Sequence, residues 1–161
     1  MSFSCLWKLL GEALLTLHAL PTEVAMVKVP SSIVLNEAED ATTTTTLSKS
    51  QALKLSTKAF LRALQIEPEN VSCWHDLALS FHYRLLELDK EKTDLKDPCF
   101  PAIRKALALK PKDHALWNVL GVFAAHHQDM ALAQHAFIRS ITLLSNAVAW
   151  SNLGIMYFMQ G

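Results

Sequence analysis

The stretch HALWNVLGVFAAHHQDMALAQHAF, residues 114–137, contains two apolar segments joined by a short polar turn. The first has large or small apolar residues at i, i+3, i+4 and i+7, which form one face of an α-helix: Trp117, Leu120, Gly121 and Ala124. The second carries Ala133 and Phe137, which are also on one helical face. Apart from histidines, Asp129 is the only acidic or basic residue in residues 114–137. The stretch therefore predicts two helices packed closely on each other.

The same spacing follows all four tryptophans of the chain. Each Trp is followed by Leu after three residues and by Gly or Ala after four: Trp7, Leu10, Gly11; Trp74, Leu77, Ala78; Trp117, Leu120, Gly121; Trp150, Leu153, Gly154. Apolar residues stand seven positions after each Trp: Leu14, Phe81, Ala124 and Tyr157. The small residue lets a second helix approach closely. This internal repeat indicates a stacked array of one supersecondary unit.

The second helix of each unit is visible too. Two other segments are similar to the helix of Ala133 and Phe137. They are ALKLSTKAFLRALQIEP, with Phe60 and Pro68, and FPAIRKALALKP, with Ile103 and Pro111. Each proline ends its helix. The pattern resembles the tetratricopeptide repeat, a helix–turn–helix of about 34 residues. The resemblance implies an all-α fold: a solenoid of antiparallel helix pairs, with three full repeats, two of them carrying insertions, and the first helix of a fourth.

Helix-start signals support this register independently. Asn70, Asp113 and Asn146 each lie four residues before a Trp, where a side-chain oxygen can cap the first turn. Asp129 can cap the helix of Ala133, and Ser48 with Gln51 predicts a capping box. Asp97 before Pro98 predicts another start, and Ser2 or Ser4 is expected to begin the first helix.

We expect residues 1–161 to be one solenoid segment. The predicted repeats are 4–70 with an insert at 20–47, 71–113 with an insert at 89–97, 114–146, and an incomplete 147–161. The first insert contains two prolines and the run Thr42–Thr46, which disfavour helix, so we expect a surface loop without strand pairing. A tolerated insert is favoured over a binding element, and deletion of Glu23–Thr46 is expected to leave stability nearly unchanged. The incomplete repeat predicts a piece or truncated form of a longer solenoid.

Composition excludes several classes of protein. Fifteen basic and fifteen acidic residues give no net charge to attract nucleic acid or an anionic membrane. No segment has the roughly 20 apolar residues of a membrane span, and Lys8 and Glu12 interrupt the apolar N-terminal stretch that a signal peptide would need. Three scattered cysteines, Cys5, Cys73 and Cys99, predict reduced and mostly packed thiols rather than disulfides. A soluble protein is expected.

Catalytic and metal-binding patterns are missing from the sequence. It contains neither a glycine-rich phosphate loop nor a G-x-S-x-G elbow. Cys73 with His75 or His82 is conceivable as a nucleophile pair, but a packed thiol is favoured. Three histidines could form part of a zinc site: His126, His127 and His135. No cysteine or carboxylate pair at the usual spacing completes the set of ligands. We expect no enzyme, no cofactor and no metal.

Tetratricopeptide arrays usually bind partners in a concave groove lined by the first helix of each repeat. The corresponding positions here are Ser72, His75, Asp76, Leu79 and His82; Asn118, Val119, Val122 and Ala125; Ser151, Asn152, Ile155 and Phe158. Co-chaperones of this family hold a peptide carboxylate with Lys and Asn at such positions, and no Lys or Arg occurs here. A broad apolar, weakly polar interface is therefore favoured over a chaperone-tail clamp.

Longer segments resemble one group within this class. CLWKLLGEALLTLHALP, STKAFLRALQIEPENVSCWHDLALSFHYRL and residues 114–158 are similar to the scaffold subunits of the superkiller complex. That resemblance implies a non-catalytic scaffold that holds an RNA helicase and a WD40-propeller subunit and couples them to the exosome for 3′–5′ mRNA decay. It implies a cytoplasmic location, with the nucleus as an alternative. Adjacent repeats or a second copy would cover the open end. The alternative is a free-standing adaptor or co-chaperone that binds a peptide in the groove.

Overall fold

The computed structural model describes residues 3–21, 26–30, 44–87 and 98–160. Within these residues the chain is all-α apart from one short strand pair. The chain forms two compact units, Met1–Lys96 and Asp97–Gly161. In each unit, helices pack against their neighbours in sequence, which confirms the predicted all-α class of tetratricopeptide type. None of the described helices is long and apolar enough to cross a membrane.

The first unit has three helices in its described part: α1 (Phe3–Ala19), α2 (Lys49–Ile66) and α3 (Val71–Glu87). Helix α2 lies between the other two and packs against both. Residues spaced three or four apart on α2 and α3 form the shared core: Phe60, Ala63, Leu64, Cys73 and Leu77. The core therefore forms where the apolar stripes of consecutive helices meet.

A strand pair precedes α2 and corrects one expectation. Strand β1 (Lys28–Pro30) pairs antiparallel with β2 (Thr44–Thr46). Val29 packs against a small cluster that includes Leu14 and the buried Leu47. The expectation of a loop without strand pairing was thus wrong at both ends of the insert, because residues that disfavour helix, such as Val and Thr, favour strands. The middle of the insert lies outside the described residues.

The second unit contains four helices among its described residues: α4 (Cys99–Leu109), α5 (His114–His126), α6 (Met130–Leu143) and α7 (Ala147–Gln160). The rings of Phe100 and Phe123 join α4 to α5 edge-to-face, with centroids 6.5 Å apart. The main core lies between α5, α6 and α7 and is made of Ala124, Ala133, Phe137, Leu153 and Met156. Small residues in this core allow the helices to approach closely.

The predicted helix caps are largely confirmed. Side-chain oxygens accept first-turn N–H groups at four helix starts, with distances of 2.9–3.0 Å: Asn70, Asp113, Asp129 and Asn146. Ser48 and Gln51 form the predicted capping box, with both hydrogen bonds present. Each cap satisfies donors that the helix itself leaves unpaired.

Two predicted starts differ. Ser4 lies inside α1 with its side chain buried, so it does not begin the helix. Ser2 and Asp97 lie outside the described residues, and α4 begins after Pro98 without a side-chain cap. The residues next to Ser4 are apolar, and nothing in this local sequence distinguishes a serine that caps a helix from one that is buried in the core.

The turn between α5 and α6 places Gln128 in the left-handed region, with φ of 61°. The N–H of Asp129 donates to the Ala124 carbonyl at 2.9 Å, and the N–H of Gln128 donates to the Ala125 carbonyl at 3.1 Å. These two bonds define a Schellman motif, in which glycine is the usual residue at the left-handed position. Gln128 therefore holds a conformation that costs free energy.

Candidate interaction face on the last described helix

Two glycines receive a phenylalanine ring from the second helix of their own repeat. A β-carbon on Gly11 would lie 2.6 Å from the Phe60 ring, closer than a side chain can approach. Gly121 and Phe137 repeat this arrangement in the second unit. We call the space beside such a glycine, which a phenylalanine ring of the next helix fills, a glycine slot. It is the place where the two helices of a repeat pack most closely.

The third such position, Gly154 on α7, is empty. Apart from its chain neighbours and the backbone of its own helix, no atom of the described residues lies within 4 Å of the place where its β-carbon would be. Helix α7 packs against α6 through Leu153 and Met156, which are buried. The helix therefore uses one face for the core and leaves its glycine face uncovered among the described residues.

The uncovered surface of α7 is apolar and carries no charge. Helix α7 contains no Asp, Glu, Lys or Arg. Six large apolar residues are exposed on it: Val148, Trp150, Ile155, Tyr157, Phe158 and Met159. Phe158 is 88% exposed and Trp150 is 55% exposed. We call this set the α7 face. An apolar surface without charges is typical of a protein-binding site.

Polar contacts at the edge of the α7 face fix its orientation. The Tyr157 hydroxyl accepts a hydrogen bond from Gln134 Nε2 at 2.7 Å. The Trp150 indole N–H donates to the Ser145 hydroxyl at 3.1 Å. Both residues stay exposed, so each ring has a polar anchor within the chain and apolar surface left for a partner.

The predicted groove positions of the second unit lie on α5 and α7. Asn152 Nδ2 donates to Asn118 Oδ1 at 3.0 Å and so joins the two helices. The remaining α5 positions are half-buried: Val119, Val122 and Ala125. On α7, Ser151, Ile155 and Phe158 are exposed. The structure therefore brings one predicted groove position of α5 and one of α7 into contact, Asn118 and Asn152.

The predicted groove positions of the first unit are on α3. Ser72 is exposed and Leu79 is half-buried, while His75 Nδ1 lies 2.9 Å from Asp76 Oδ1. His82 differs from the prediction, because it is only 4% exposed and cannot line a groove. Its ring lies against Tyr83, with centroids 6.0 Å apart. Helical spacing predicts on which side of α3 His82 lies, but it does not predict whether other residues bury that side.

The predicted repeat-packing residues fall into three classes of burial. Most are buried: Gly11, Phe60, Leu77, Ala78, Leu120, Gly121, Ala133, Phe137 and Leu153. Three are half-buried: Trp74, Phe81 and Trp117. The exposed ones belong to the first and last described helices: Trp7, Leu10, Trp150, Gly154 and Tyr157. The packing role assigned to Trp7 and Leu10 is therefore not seen, with Leu10 46% exposed.

The position of Trp7 differs from that of two other tryptophans for a physical reason. Trp74 Nε1 donates to the Pro68 carbonyl, and Trp117 Nε1 donates to the Pro111 carbonyl, each at 2.8 Å. Each indole thus packs on the end of the preceding helix. The described residues include no helix before α1 that could receive Trp7 in this way.

Cys73, the thiol considered as a nucleophile, is buried and is not activated. Burial first, and then the nearby Asp76 carboxylate, raise the pKa of Cys73 to about 12, so its thiol stays protonated at neutral pH. No group of three potential metal ligands occurs among the described residues. His135 lies edge-on to Trp117, and His127 lies edge-on to Phe100.

Sequence reasoning missed two members of the α7 face, Val148 and Met159. The signal that could have found them is the absence of any charged residue from 147 to 160. A surface helix normally carries charges on its outer side, so an uncharged one exposes apolar residues beyond the repeat pattern.

Helices that pack in adjacent pairs, with a glycine of one helix against a phenylalanine of the next, form a fold of the tetratricopeptide-repeat class. The chain is 34% identical to tetratricopeptide repeat protein 37 of Xenopus laevis over 98% of its length. It is 32% identical to superkiller complex protein 3 of Mus musculus over 96% of its length, and 35% identical to the Homo sapiens protein of that name over 82%. These matches confirm the resemblance that the sequence shows. No family model matches the chain.

The relatives are much longer than this chain. It spans 10% of the Xenopus laevis and Mus musculus proteins and 9% of the Homo sapiens one. Their names therefore describe proteins of which this chain matches about a tenth.

Proposed function

We propose that the chain is a protein-interaction segment of a superkiller-complex scaffold. The observation that carries this proposal is the match of nearly the whole chain to proteins named superkiller complex protein 3. In this role the segment binds proteins and performs no catalysis. The partners are an RNA helicase and a WD40-propeller subunit, and the exosome indirectly, in 3′–5′ mRNA decay in the cytoplasm.

The α7 face supports a scaffold role rather than a free-standing adaptor. A segment of a scaffold needs a neighbouring helix or protein to cover its apolar face. The predicted groove positions carry no Lys or Arg that could clamp a peptide carboxylate. The repeats 4–70, 71–113, 114–146 and 147–161 would then be consecutive units of one array with inserts at 20–47 and 89–97.

Affinity purification from native cells tests this role. The tagged natural protein that carries residues 1–161 should copurify with an RNA helicase, a WD40 protein and exosome subunits. The variant Ile155→Gln/Phe158→Gln should lose part of this set, and the control Leu86→Gln, an exposed leucine on α3, should retain all of it. Copurification of chaperones without a helicase would contradict the scaffold role and favour the adaptor.

A further inference from the structure

Helix α2 carries an unbalanced charge. Its 18 residues include four cations and no carboxylate: Lys49, Lys54, Lys58 and Arg62. Lys54, Lys58 and Arg62 recur at intervals of four residues, so they form one stripe along the helix. Like charges at this spacing destabilise a helix. The stripe is therefore a feature that the packing of α2 does not require.

A cleft of about 330 Å³ lies between this stripe and α3, within the first unit. Its cationic lining consists of Lys54 and Lys58 from α2 and Arg84 from α3. Its apolar lining consists of Leu55, Leu61 and Phe81. The cleft thus combines positive charges with an apolar floor, and it is distinct from the α7 face and from the predicted groove positions.

The cations of the cleft have no carboxylate partner among the described residues. Arg84 is half-buried, and its Nη1 reaches only the Thr57 hydroxyl, at 3.5 Å. Thr57 itself is buried and donates to the Leu53 carbonyl at 2.8 Å, so its position is fixed by α2. A guanidinium has five N–H donors in a fixed fork. Most donors of Arg84 are therefore available to a ligand.

Three acidic residues of the first unit do not line the cleft. Glu12 pairs with Lys8, and the carboxylates of Asp76 and Glu87 lie at hydrogen-bond distance from the rings of His75 and His18. These three residues form no ion pair with the cations of the cleft. An anionic group that entered it would find opposite charges on two helices.

We propose that this cleft binds an acidic segment of a partner protein, in extended conformation, with Asp or Glu side chains on the cations and an apolar side chain on the floor. Side chains four apart on a helix lie about 5–6 Å from each other. Alternate residues of an extended peptide lie roughly 6–7 Å apart. An acidic residue at every second position therefore matches Lys54 and Lys58, and a further carboxylate reaches Arg84.

The lining favours a peptide over RNA. Leu55, Leu61 and Phe81 offer aliphatic contact, and the chain carries no net positive charge to hold a phosphate backbone. Three separated cations also suit several single carboxylates better than one phosphate dianion. This inference goes beyond the proposed scaffold role and does not depend on it, because it rests on α2 and α3 alone.

Fluorescence anisotropy with four labelled probes tests the proposal on the full chain. The first three probes are a peptide with Asp at alternate positions separated by Leu and Phe, the same peptide with Asn for Asp, and a single-stranded RNA. The Asp peptide should bind, and the Asn peptide should bind about tenfold more weakly, since the small contributions of several exposed charge pairs add up. A phosphoserine peptide with the same apolar residues is the fourth arm.

Matched charge variants locate the binding. Lys54→Gln/Lys58→Gln and, separately, Arg84→Gln should weaken the Asp peptide by about tenfold or more. The control Arg104→Gln/Lys105→Gln removes two exposed cations from α4 in the second unit and should change binding less than about twofold. Absence of binding, equal weakening in the control, or tighter binding of the RNA or phosphoserine probe would overturn the proposal.

Discussion

The Phe137 ring fills the space beside Gly121, where a β-carbon would lie 2.5 Å from Cε1 of the ring. Gly154 occupies the same place in the next repeat and faces open space. We expect Gly121→Ala to be about 1–3 kcal/mol less stable than Gly154→Ala, because overpacking affects only the first while both gain helix propensity. Urea unfolding followed by circular dichroism measures both. Equal stabilities would show that the Phe137 ring moves aside without cost.

Replacement of Gln128 by glycine should stabilise the chain. Glycine adopts the left-handed conformation without the steric cost that Gln128 bears, and the gain should be about 1 kcal/mol. The melting temperature reports the change. Arg139→Gly, at an exposed position inside α6, is the control and should destabilise by a similar amount. A decrease for Gln128→Gly would contradict the assigned turn geometry.

The carboxyl group of Asp113 should give the second unit a pH-dependent stability. Burial raises its pKa, but hydrogen bonds from Lys110 and from the Ala115 N–H together outweigh burial, and the net pKa lies below its usual value. A lowered native pKa contributes stability above the unfolded pKa of about 3.9, and this contribution is lost as the pH falls through the native value.

The variant Asp113→Asn isolates this charge, because asparagine also caps helices well. The natural chain should be more stable than the variant at neutral pH, and the difference should shrink below the usual Asp pKa and disappear once the pH falls below the lowered native pKa. Thermal unfolding of both proteins measures this difference in stability. The pH is varied over about 2–7, which covers the range in which carboxyl groups titrate. A difference that stays constant with pH would rule out the charge as its cause.

The strand pair should contribute to the stability of the first unit. Leu47 follows β2 directly, is 7% exposed and packs with Leu14 and Ala52. Leu47→Ala should destabilise by about 2–5 kcal/mol, as expected for a buried leucine. Deletion of Glu23–Thr46 should also lower the melting temperature, since it removes Val29 from the same cluster. An unchanged melting temperature for the deletion would restore the expectation of a tolerated loop.

The α7 face should cause self-association of the isolated chain. Burial of each large apolar side chain contributes roughly 1.5–3 kcal/mol, so an open face favours a second copy when no neighbour is present. Size-exclusion chromatography with light scattering should show oligomers at tens of micromolar. Ile155→Gln/Phe158→Gln should yield monomers, while Leu86→Gln should not. A monodisperse monomer of the unmodified chain would refute this expectation.

The features that sequence predicts well here are those that local spacing determines. Asn70 and Asp113 cap their helices because the cap and the capped N–H groups lie within three residues of each other. The Gly121–Phe137 contact is predictable because both positions belong to one repeat.

The features that sequence predicts poorly depend on neighbours that are distant in the chain. His82 is buried although its helical position suggested a groove, and Val29 pairs with Thr45 across the insert. The cationic cleft requires Lys58 and Arg84 to line the same cavity, which follows from how α2 packs on α3 and from no motif in either helix. Periodicity determines which side of a helix a residue occupies, but not what lies opposite.

The two occupied glycine slots imply an order of folding. Gly121 and Phe137 are 16 residues apart, whereas Gly11 and Phe60 are 49 apart. Loop closure costs about 0.6 kcal/mol for each doubling of length, so the longer closure costs about 1 kcal/mol more. Contacts between residues close in sequence also form faster. The contact between α5 and α6 should therefore form before the contact between α1 and α2, and α1 should dock on α2 in a later, slower step.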